Sequence, residues 1–248
     1  MRPILAATAI ALTASTALAD GLLDMSDAER DTFRAEVRQY LLENPEVLME
    51  AIGVLEARQA EAEAMRDERA VALNKDALLN DGHSYVGGNP DGDITIVEFI
   101  DYRCGFCRRA HPEVAELIET DGNIRIITKE YPVLGEQSVL ASRFAVATKT
   151  IAGDEAYAEI SNALIALRSD VTEDSLRALG EAYDLPTDAI VEEMMSEATT
   201  TILQENRALG DRMAITGTPT FVFGDRMVRG YVQLPEMRRI VDQLREES

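Results

Sequence analysis

The hydrophobic positions of residues 27–73 recur with the period of an α-helix and predict two consecutive helices. Ser26-Asp27-Ala28-Glu29 is typical of a capping box at a helix start. Apolar residues then return at helical spacing, at Phe33, Val37, Tyr40 and Leu41. Asn44-Pro45 combines a favoured N-cap with a favoured first helical residue. We therefore expect one helix over about residues 27–43 and a long second helix over 46–73.

The second helix carries an apolar stripe that a single helix does not bury unaided. Leu48, Ile52 and Leu55 follow coiled-coil spacing, and the pattern fades after Ala62. Two arrangements would cover the stripe. The helix either folds back on the rest of the chain or associates with copies of itself.

Turn-forming residues between about 77 and 92 mark a change of character, and an α/β pattern follows them. The predicted elements are strands at Ile94–Ile100 and Ile124–Thr128 around a helix over 105–119, a hairpin of strands Thr220–Phe223 and Met227–Tyr231, and a last helix Leu234–Arg245. Residues 137–208 carry helical patterns with almost no strand signal. The fold class is therefore α/β, with a β-α-β unit and a hairpin separated by a helical insertion.

The only two cysteines, Cys104 and Cys107, lie where the predicted strand meets the predicted helix. A disulfide across so short a ring stabilises a fold little, because the effect grows with loop length. A sulfur at a helix N-terminus is favoured as an anion by the unpaired N–H groups and the helix dipole. The pair is therefore a candidate redox centre, and we expect a lowered pKa at Cys104.

Charged residues near the pair are candidates for assisting this chemistry. Arg103, Arg108 and Arg109 cluster around the cysteines, and positive charge near a sulfur favours the thiolate. Arg103 adjoins Cys104 and is the candidate catalytic cation, whereas Arg109 is equally consistent with a solvated helix face. Glu98, inside the apolar strand, either accepts a proton from Cys107 or points to water at the strand end.

The thiol pair also raises the question of a metal site. A structural zinc ion normally takes four ligands, and the two histidines, His83 and His111, lie in separate regions of the sequence. Copper(I) accepts fewer and softer ligands, and the chain has 9 methionines. Methionine at helical spacing is usually core filler. The sequence therefore predicts no metal ligands and no cofactor, with copper binding as an alternative.

The first residues and the composition indicate where the chain works. Residues 1–19 have a basic start, a short apolar stretch and Ala17-Leu18-Ala19 before Asp20, as a cleavable secretory signal does. The apolar stretch is too short for a membrane anchor, which needs about 20 residues. The formal net charge is −21, which disfavours nucleic acid and anionic lipid as partners and is typical of a soluble protein.

Three ordered motifs resemble a known family, the DsbA-type thioredoxin-fold thiol:disulfide oxidoreductases of bacterial envelopes. The motifs are Val97-Glu98-Phe99-Ile100-Asp101-Tyr102-Arg103-Cys104-Gly105-Phe106-Cys107, Glu130-Tyr131-Pro132-Val133-Leu134-Gly135 and Thr216-Gly217-Thr218-Pro219-Thr220-Phe221. The resemblance implies a thioredoxin fold over 77–248 with a helical insertion at 137–208.

The same resemblance implies roles for the residues of these motifs. Cys104 would be the nucleophile and Cys107 the resolving thiol of a redox-active disulfide. Pro219 would be a cis proline facing the sulfurs, and the client protein would contact Thr218, Pro219, Gly105 and Phe106. Gly105-Phe106 and Thr218 are more similar to isomerase members of the family than to DsbA itself.

Residues 40–50 resemble the N-terminal region of ScsC-like members, in which a helical segment builds an oligomer. This resemblance implies a homo-oligomer formed through residues 20–76. The leading hypothesis is thus a periplasmic disulfide isomerase or reductase, with thiol-bearing client proteins and a membrane redox partner. The alternatives are a monomeric DsbA-like oxidase and, in another class, a copper-binding tolerance protein.

Overall fold

The computed structural model describes residues 25–247, so the predicted signal peptide at 1–19 lies outside the described residues. The chain divides after Gln59 into two compact units. The first described unit comprises α1 (Asp27–Glu43) and the start of α2 (Glu46–Leu73). Both helices have the bounds that the sequence predicts.

The first helix begins with the predicted capping box. Ser26 Oγ accepts the Glu29 N–H, and the Glu29 carboxylate accepts the Ser26 N–H at 2.9 Å. α1 ends at Asn44, whose N–H donates to the carbonyl of Tyr40 at 2.8 Å. No residue between 25 and 59 is buried, and many of the exposed side chains are large and apolar.

The second unit is built on a five-stranded mixed sheet in the order β1-β3-β2-β4-β5. The strands are β1 (Tyr85–Gly88), β2 (Ile94–Ile100), β3 (Ile124–Glu130), β4 (Thr220–Phe223) and β5 (Arg226–Arg229). β2 and β3 run parallel, and the other three pairs are antiparallel. The parallel pair is joined by a helical crossover, as such connections require.

Helices cover both faces of this sheet. They are α3 (Lys75–Leu79), α4 (Gly105–Asp121), α5 (Glu136–Ala166), α6 (Glu173–Ala182), α7 (Thr187–Met194), α8 (Glu197–Arg212) and α9 (Leu234–Glu247). Ile94 and Ile96 pack on the face of α4 and α9, whereas Val97 and Phe99 pack on the opposite face with α3 and α8. This alternation follows from the two-residue period of a strand, and it buries apolar side chains on both faces of the sheet.

The helical insertion forms α5 to α8 and bends at Gly153, which has φ +87° inside α5. Its core joins the end of β2 and both cysteines to buried residues of α5, α6 and α7. The helices span 136–212, slightly beyond the predicted 137–208. The insertion therefore packs directly around the thiol pair.

The structure shifts the second strand of the hairpin and extends β3 and α4 by two residues each beyond their predicted ends. The hairpin strand expected at Met227–Tyr231 spans Arg226–Arg229 instead, because Gly230 adopts φ +85° and its N–H donates to the carbonyl of Pro219. The domain boundary expected near residue 77 stays a prediction. The end of α2 and α3 already contribute Val71 and Leu78 to the core beside Phe99.

A buried ion pair secures the segment before β1. Lys129, fully buried on β3, donates to the Asp81 carboxylate and to the carbonyl of Ala77 at 2.8 Å. Asp81 also accepts the N–H groups of His83 and Ser84. Burying one of these charges without its partner would be costly, so the pair fixes this segment against β3.

Candidate functional site: the Cys104–Cys107 centre

The two cysteines lie at the start of α4, as the sequence predicts. Cys104 is the N-cap residue of α4, and Cys107 lies in the first helical turn. Both thiols are free, and Cys107 is completely buried whereas Cys104 retains 6% exposure. Cys104 is therefore the sulfur that a partner reaches first.

The loop that presents Cys104 is shaped by Asp101, a residue to which the sequence analysis gave no role. Its buried carboxylate accepts the N–H groups of Arg103 and Val133 at 2.8 Å and of Leu134 at 3.1 Å. These bonds join the end of β2 to the loop after β3. A carboxylate held by three N–H groups is a rigid local support for the nucleophile.

The third motif faces the sulfurs from the other side. The Thr218–Pro219 peptide bond is cis, as the family resemblance implied. The Cys104 thiol, when protonated, donates to the Thr218 carbonyl with an Sγ–O distance of 3.1 Å. Gly105 and Phe106 are exposed beside them, with Phe106 60% exposed. The structure thus brings together Cys104, Thr218 and the Gly105-Phe106 dipeptide.

The two sulfurs have opposite acid–base properties. A hydrogen bond from the Cys107 thiol, helped by the N–H groups of Cys107 and Phe106, lowers the pKa of Cys104 to about 5. The hydrogen bond with Cys104 raises the pKa of Cys107, and burial and the charge of Glu98 raise it further. At neutral pH Cys104 is therefore a thiolate and Cys107 a thiol.

The Arg103 side chain, which was expected to favour the Cys104 thiolate, binds the backbone of the loop after α5. Its guanidinium donates to the carbonyl of Ser169 at 3.0 Å, in the loop after α5. The hydrogen bonds that lower the pKa of Cys104 come instead from Cys107 and from the N-terminus of α4. A catalytic role for Arg103 stays a prediction.

Glu98 lies in the interior, so its carboxylate is not the solvated strand-end group that the sequence left open. It is 3% exposed, and in the sheet it faces Thr128 on β3 and Phe221 on β4. Its Oε1 has no hydrogen-bond partner among the described residues, and it lines a pocket of about 290 Å³. Burial and the neighbouring Glu130 raise the pKa of Glu98 to about 8.

Glu130 is a second buried acid, which the sequence analysis missed. Its Oε1 accepts the hydroxyl groups of Tyr102 at 2.6 Å and Tyr157 at 2.7 Å. Burial raises the pKa of Glu130 to about 7. The sequence analysis ended this strand at Thr128, two residues before Glu130, so the pattern did not mark Glu130 as a buried strand residue.

Between residues 25 and 247, no three His, Cys, Asp or Glu side chains lie close enough together to hold one metal ion. Within the same residues, no helix has the length and apolar character of a membrane span.

Removing the Cys107 thiol tests the origin of the lowered pKa. In Cys107→Ala we expect the pKa of Cys104 to rise by about 1 unit or more, because the hydrogen bond from Cys107 is lost while the helix N–H groups remain. Ultraviolet absorbance of the thiolate against pH measures it. Cys104→Ser is the control and should show no thiolate below neutral pH; an unchanged midpoint in Cys107→Ala would contradict the account.

The buried glutamates predict how stability depends on pH. A raised pKa means that the folded state favours the protonated acid, so the contribution of these two groups to stability is highest below their unfolded pKa of 4.5 and is lost as pH rises toward about 8. Cys104 has the opposite effect, because its pKa falls to about 5 on folding and its contribution grows with pH over the same range. We therefore expect the free energy of unfolding of Cys104→Ser, which lacks this thiol, to fall by about 5 kcal/mol or more over this window.

Urea unfolding at several pH values measures this loss of stability. Glu98→Gln and Glu130→Gln should each flatten the dependence, because an amide does not titrate. Glu119→Gln, a change at an exposed residue lining the same pocket, is the matched control. A flat dependence in Cys104→Ser would show that the carboxyl groups are not buried in this way.

Comparisons with known proteins place this site in a family. A family model described as thioredoxin matches residues 80–243, and one described as the copper resistance protein ScsC N-terminal domain matches residues 29–62. A curated relative, the Na(+)/H(+) antiporter NhaA 1 of Salinispora arenicola, is 27% identical over 59% of this chain. The chain spans only 22% of that relative's length.

Solved structures are similar over most of their length. A thioredoxin-like oxidoreductase from Silicibacter pomeroyi is 35% identical, with 70% of this chain and 98% of that chain covered and a TM-score of 0.65. A linker-deletion variant of Proteus mirabilis ScsC is 26% identical, with coverage of 91% and 99% and a TM-score of 0.69. A periplasmic thioredoxin-like protein from Salmonella enterica serovar Typhimurium is 26% identical, with coverage of 69% and 95% and a TM-score of 0.63.

The thioredoxin model covers about two thirds of the chain, and its match contains both cysteines and the cis proline. The Silicibacter pomeroyi relationship is above 30% identity and includes nearly all of that chain. The ScsC-type match lies on α1 and α2. The chain therefore belongs to the thioredoxin-like thiol:disulfide oxidoreductase family and carries an N-terminal segment of the ScsC type.

Proposed function

We propose that this protein exchanges disulfides with client proteins in the periplasm and acts as a disulfide isomerase or reductase. The observation that carries the proposal is the geometry at Cys104. Its sulfur lies at the N-terminus of α4, 3.1 Å from the Thr218 carbonyl beside the cis proline, close to the protonated Cys107. Cys104 is thus available to attack a client disulfide, and Cys107 is available to resolve the mixed disulfide that forms.

The first step is attack by the Cys104 thiolate on one sulfur of a client disulfide. A bond forms between Cys104 Sγ and that sulfur, the client S–S bond breaks, and the other client sulfur leaves as a thiolate. The low pKa of Cys104 supplies the thiolate at neutral pH without a separate base.

The mixed disulfide is resolved in one of two ways. A second client thiolate attacks the client sulfur and releases Cys104, which leaves the client isomerised. Alternatively, Cys107 loses its proton and attacks Cys104 Sγ, which releases a reduced client and leaves the Cys104–Cys107 disulfide. The group that takes this proton is the buried Glu98 in its ionised form, whose charge acts on Cys107 and whose fraction grows as pH approaches its pKa of about 8.

The N-terminal unit supports self-association through residues 20–76. Its described part has no buried residue, and a segment this small does not form a stable core alone. The exposed large apolar residues of this unit are Phe33, Val37, Tyr40, Leu42, Leu48, Met49, Ile52, Val54 and Leu55. A helical oligomer would bury them and place several Cys104 sites around one client.

The periplasmic location is supported by the signal-like residues 1–19 and by the periplasmic relative from Salmonella enterica. A protein that reduces clients accumulates its own disulfide and needs a source of electrons. The proposal therefore includes a membrane redox partner that reduces the Cys104–Cys107 disulfide.

The second candidate is a DsbA-like oxidase, and the lowered pKa of Cys104 favours it. Stabilising the thiolate stabilises the reduced protein and makes its disulfide a stronger oxidant. Trapping of free thiols in intact cells separates the two functions. Mostly reduced cysteines are expected for an isomerase, and a mostly oxidised pair would favour the oxidase.

A charge in the N-terminal apolar stripe tests the isomerase proposal. Leu48→Glu should lower the mass of the oligomer in light scattering, because the exposed Leu48 would be buried between copies. Refolding of a scrambled multi-disulfide protein should slow by about tenfold or more as multivalent contact is lost, while reduction of a single-disulfide peptide is retained.

Ala57→Glu, which adds the same charge at an exposed residue on the opposite side of the same helix, is the matched control. A parent protein that is monomeric, or that refolds no scrambled substrate, would rule out the proposed oligomeric isomerase.

A further inference from the structure

Three arginines converge beside Cys104 on the end of α5 and the loop that follows it. Arg103 donates to the carbonyl of Ser169 at 3.0 Å. Arg108 donates to the carbonyls of Ile165 at 2.8 Å and Leu167 at 3.0 Å. Arg168 is part of this same segment, so its charge joins the other two. We call Arg103, Arg108 and Arg168 the arginine rim.

The rim charges act on one another and on the nucleophile. Burial lowers the pKa of Arg108, the charges of Arg168 and Arg103 lower it further, and the Cys104 thiolate opposes this shift. The backbone also places these arginines next to Cys104. Arg103 precedes Cys104 in the chain, and the Arg108 N–H donates to the Cys104 carbonyl at 3.1 Å. The rim therefore borders the attacking sulfur.

No carboxylate forms an ion pair with an arginine of the rim among the described residues. Arg103 and Arg108 bind only carbonyl oxygens, and the exposed Arg168 makes no hydrogen bond or ion pair. The nearby carboxylates are engaged elsewhere: Asp101 accepts three backbone N–H groups, and Asp170 accepts from Gln137 at 3.2 Å. The neighbouring Arg109 lies over the ring of Tyr231 and is not part of the rim.

A role in holding the loop after α5 in place does not account for the whole positive charge of the rim. The carbonyls that bind Arg103 and Arg108 carry only partial negative charges, and no ion pair with the described residues offsets the guanidinium charges. Arg168 makes no hydrogen bond or ion pair with the described residues, so it does not hold the loop in place. The chain has 45 acidic and 24 basic residues, so carboxylates for pairing are abundant. The positive charge beside Cys104 is therefore left available to a partner.

We propose that the arginine rim selects client segments that carry Asp or Glu next to the reacting cysteine. This inference rests on the proposed function, since it names the clients of the same thiolate. A client carboxylate beside its sulfur would pair with Arg168 or Arg103 as that sulfur reaches Cys104. The net charge of the whole protein has the opposite effect on acidic peptides, because at −21 it repels them.

The test compares three peptides that differ only in the residues flanking one cysteine: acidic, neutral-polar or basic. Each cysteine is joined by a disulfide to thiopyridine, so attack by Cys104 forms the Cys104–peptide disulfide and releases thiopyridone. Reduced full-length protein is used at 0.15 M salt, where charges beyond about 8 Å are screened. We expect the acidic peptide to react about tenfold faster than the basic one.

Charge variants assign the preference to the rim. Arg168→Glu should lower the acidic-to-basic ratio about threefold or more, and Arg168→Gln by a smaller factor. Rates are divided by that of the neutral peptide, which removes any change in the reactivity of Cys104. Arg69→Glu makes the same charge change at an exposed, unpaired arginine of α2 and should leave the ratio unchanged. In 1 M salt the ratio should approach one.

Failure of the rim proposal and failure of the proposed function would give different results. Equal rates for the three peptides, or a faster basic peptide, would overturn the rim's role while leaving the thiol chemistry intact. An acidic preference that Arg168→Glu does not reduce would also overturn it. If reduced protein attacks none of the peptides, the proposed function itself is wrong.

Discussion

The hydrogen bonding around Cys104 is the interaction on which the rest of the site depends. The N-terminus of α4 and the Cys107 thiol hold the Cys104 sulfur as an anion, and that anion in turn keeps Cys107 protonated. One sulfur is activated by the same contact that restrains the other. The arrangement requires both sulfurs at one helix start, which the two-residue spacing provides.

The fold supplies what this contact needs. The central strand β2 leads to Asp101, which fixes the loop before α4, while β4 begins directly after the cis Thr218–Pro219 bond that faces Cys104. β2 also carries Glu98 beneath α4, on the face that strand alternation directs toward it. The insertion closes the remaining side and contributes the end of α5, on which Arg103 and Arg108 are anchored.

Much of this was predictable because the signals are local. The capping box at Ser26, the Asn44-Pro45 junction and the apolar run 94–100 each set an element by short-range rules, and the observed bounds agree. The three family motifs identified Cys104, Cys107 and Pro219. Contacts between distant segments were not predictable. Val71 joining the sheet core, Arg103 turning to Ser169 and Glu130 binding two tyrosines all depend on tertiary packing that periodicity does not encode.

The proposed role of Glu98 as the acceptor of the Cys107 proton can be tested at the resolution step itself. The quantity to measure is the rate at which Cys107 resolves a preformed mixed disulfide at Cys104, followed against pH in the parent and in Glu98→Gln. We expect a parent rate that rises with an apparent pKa near 8, and a Glu98→Gln rate about a hundredfold lower at neutral pH without that transition. Identical profiles in the two proteins would contradict it.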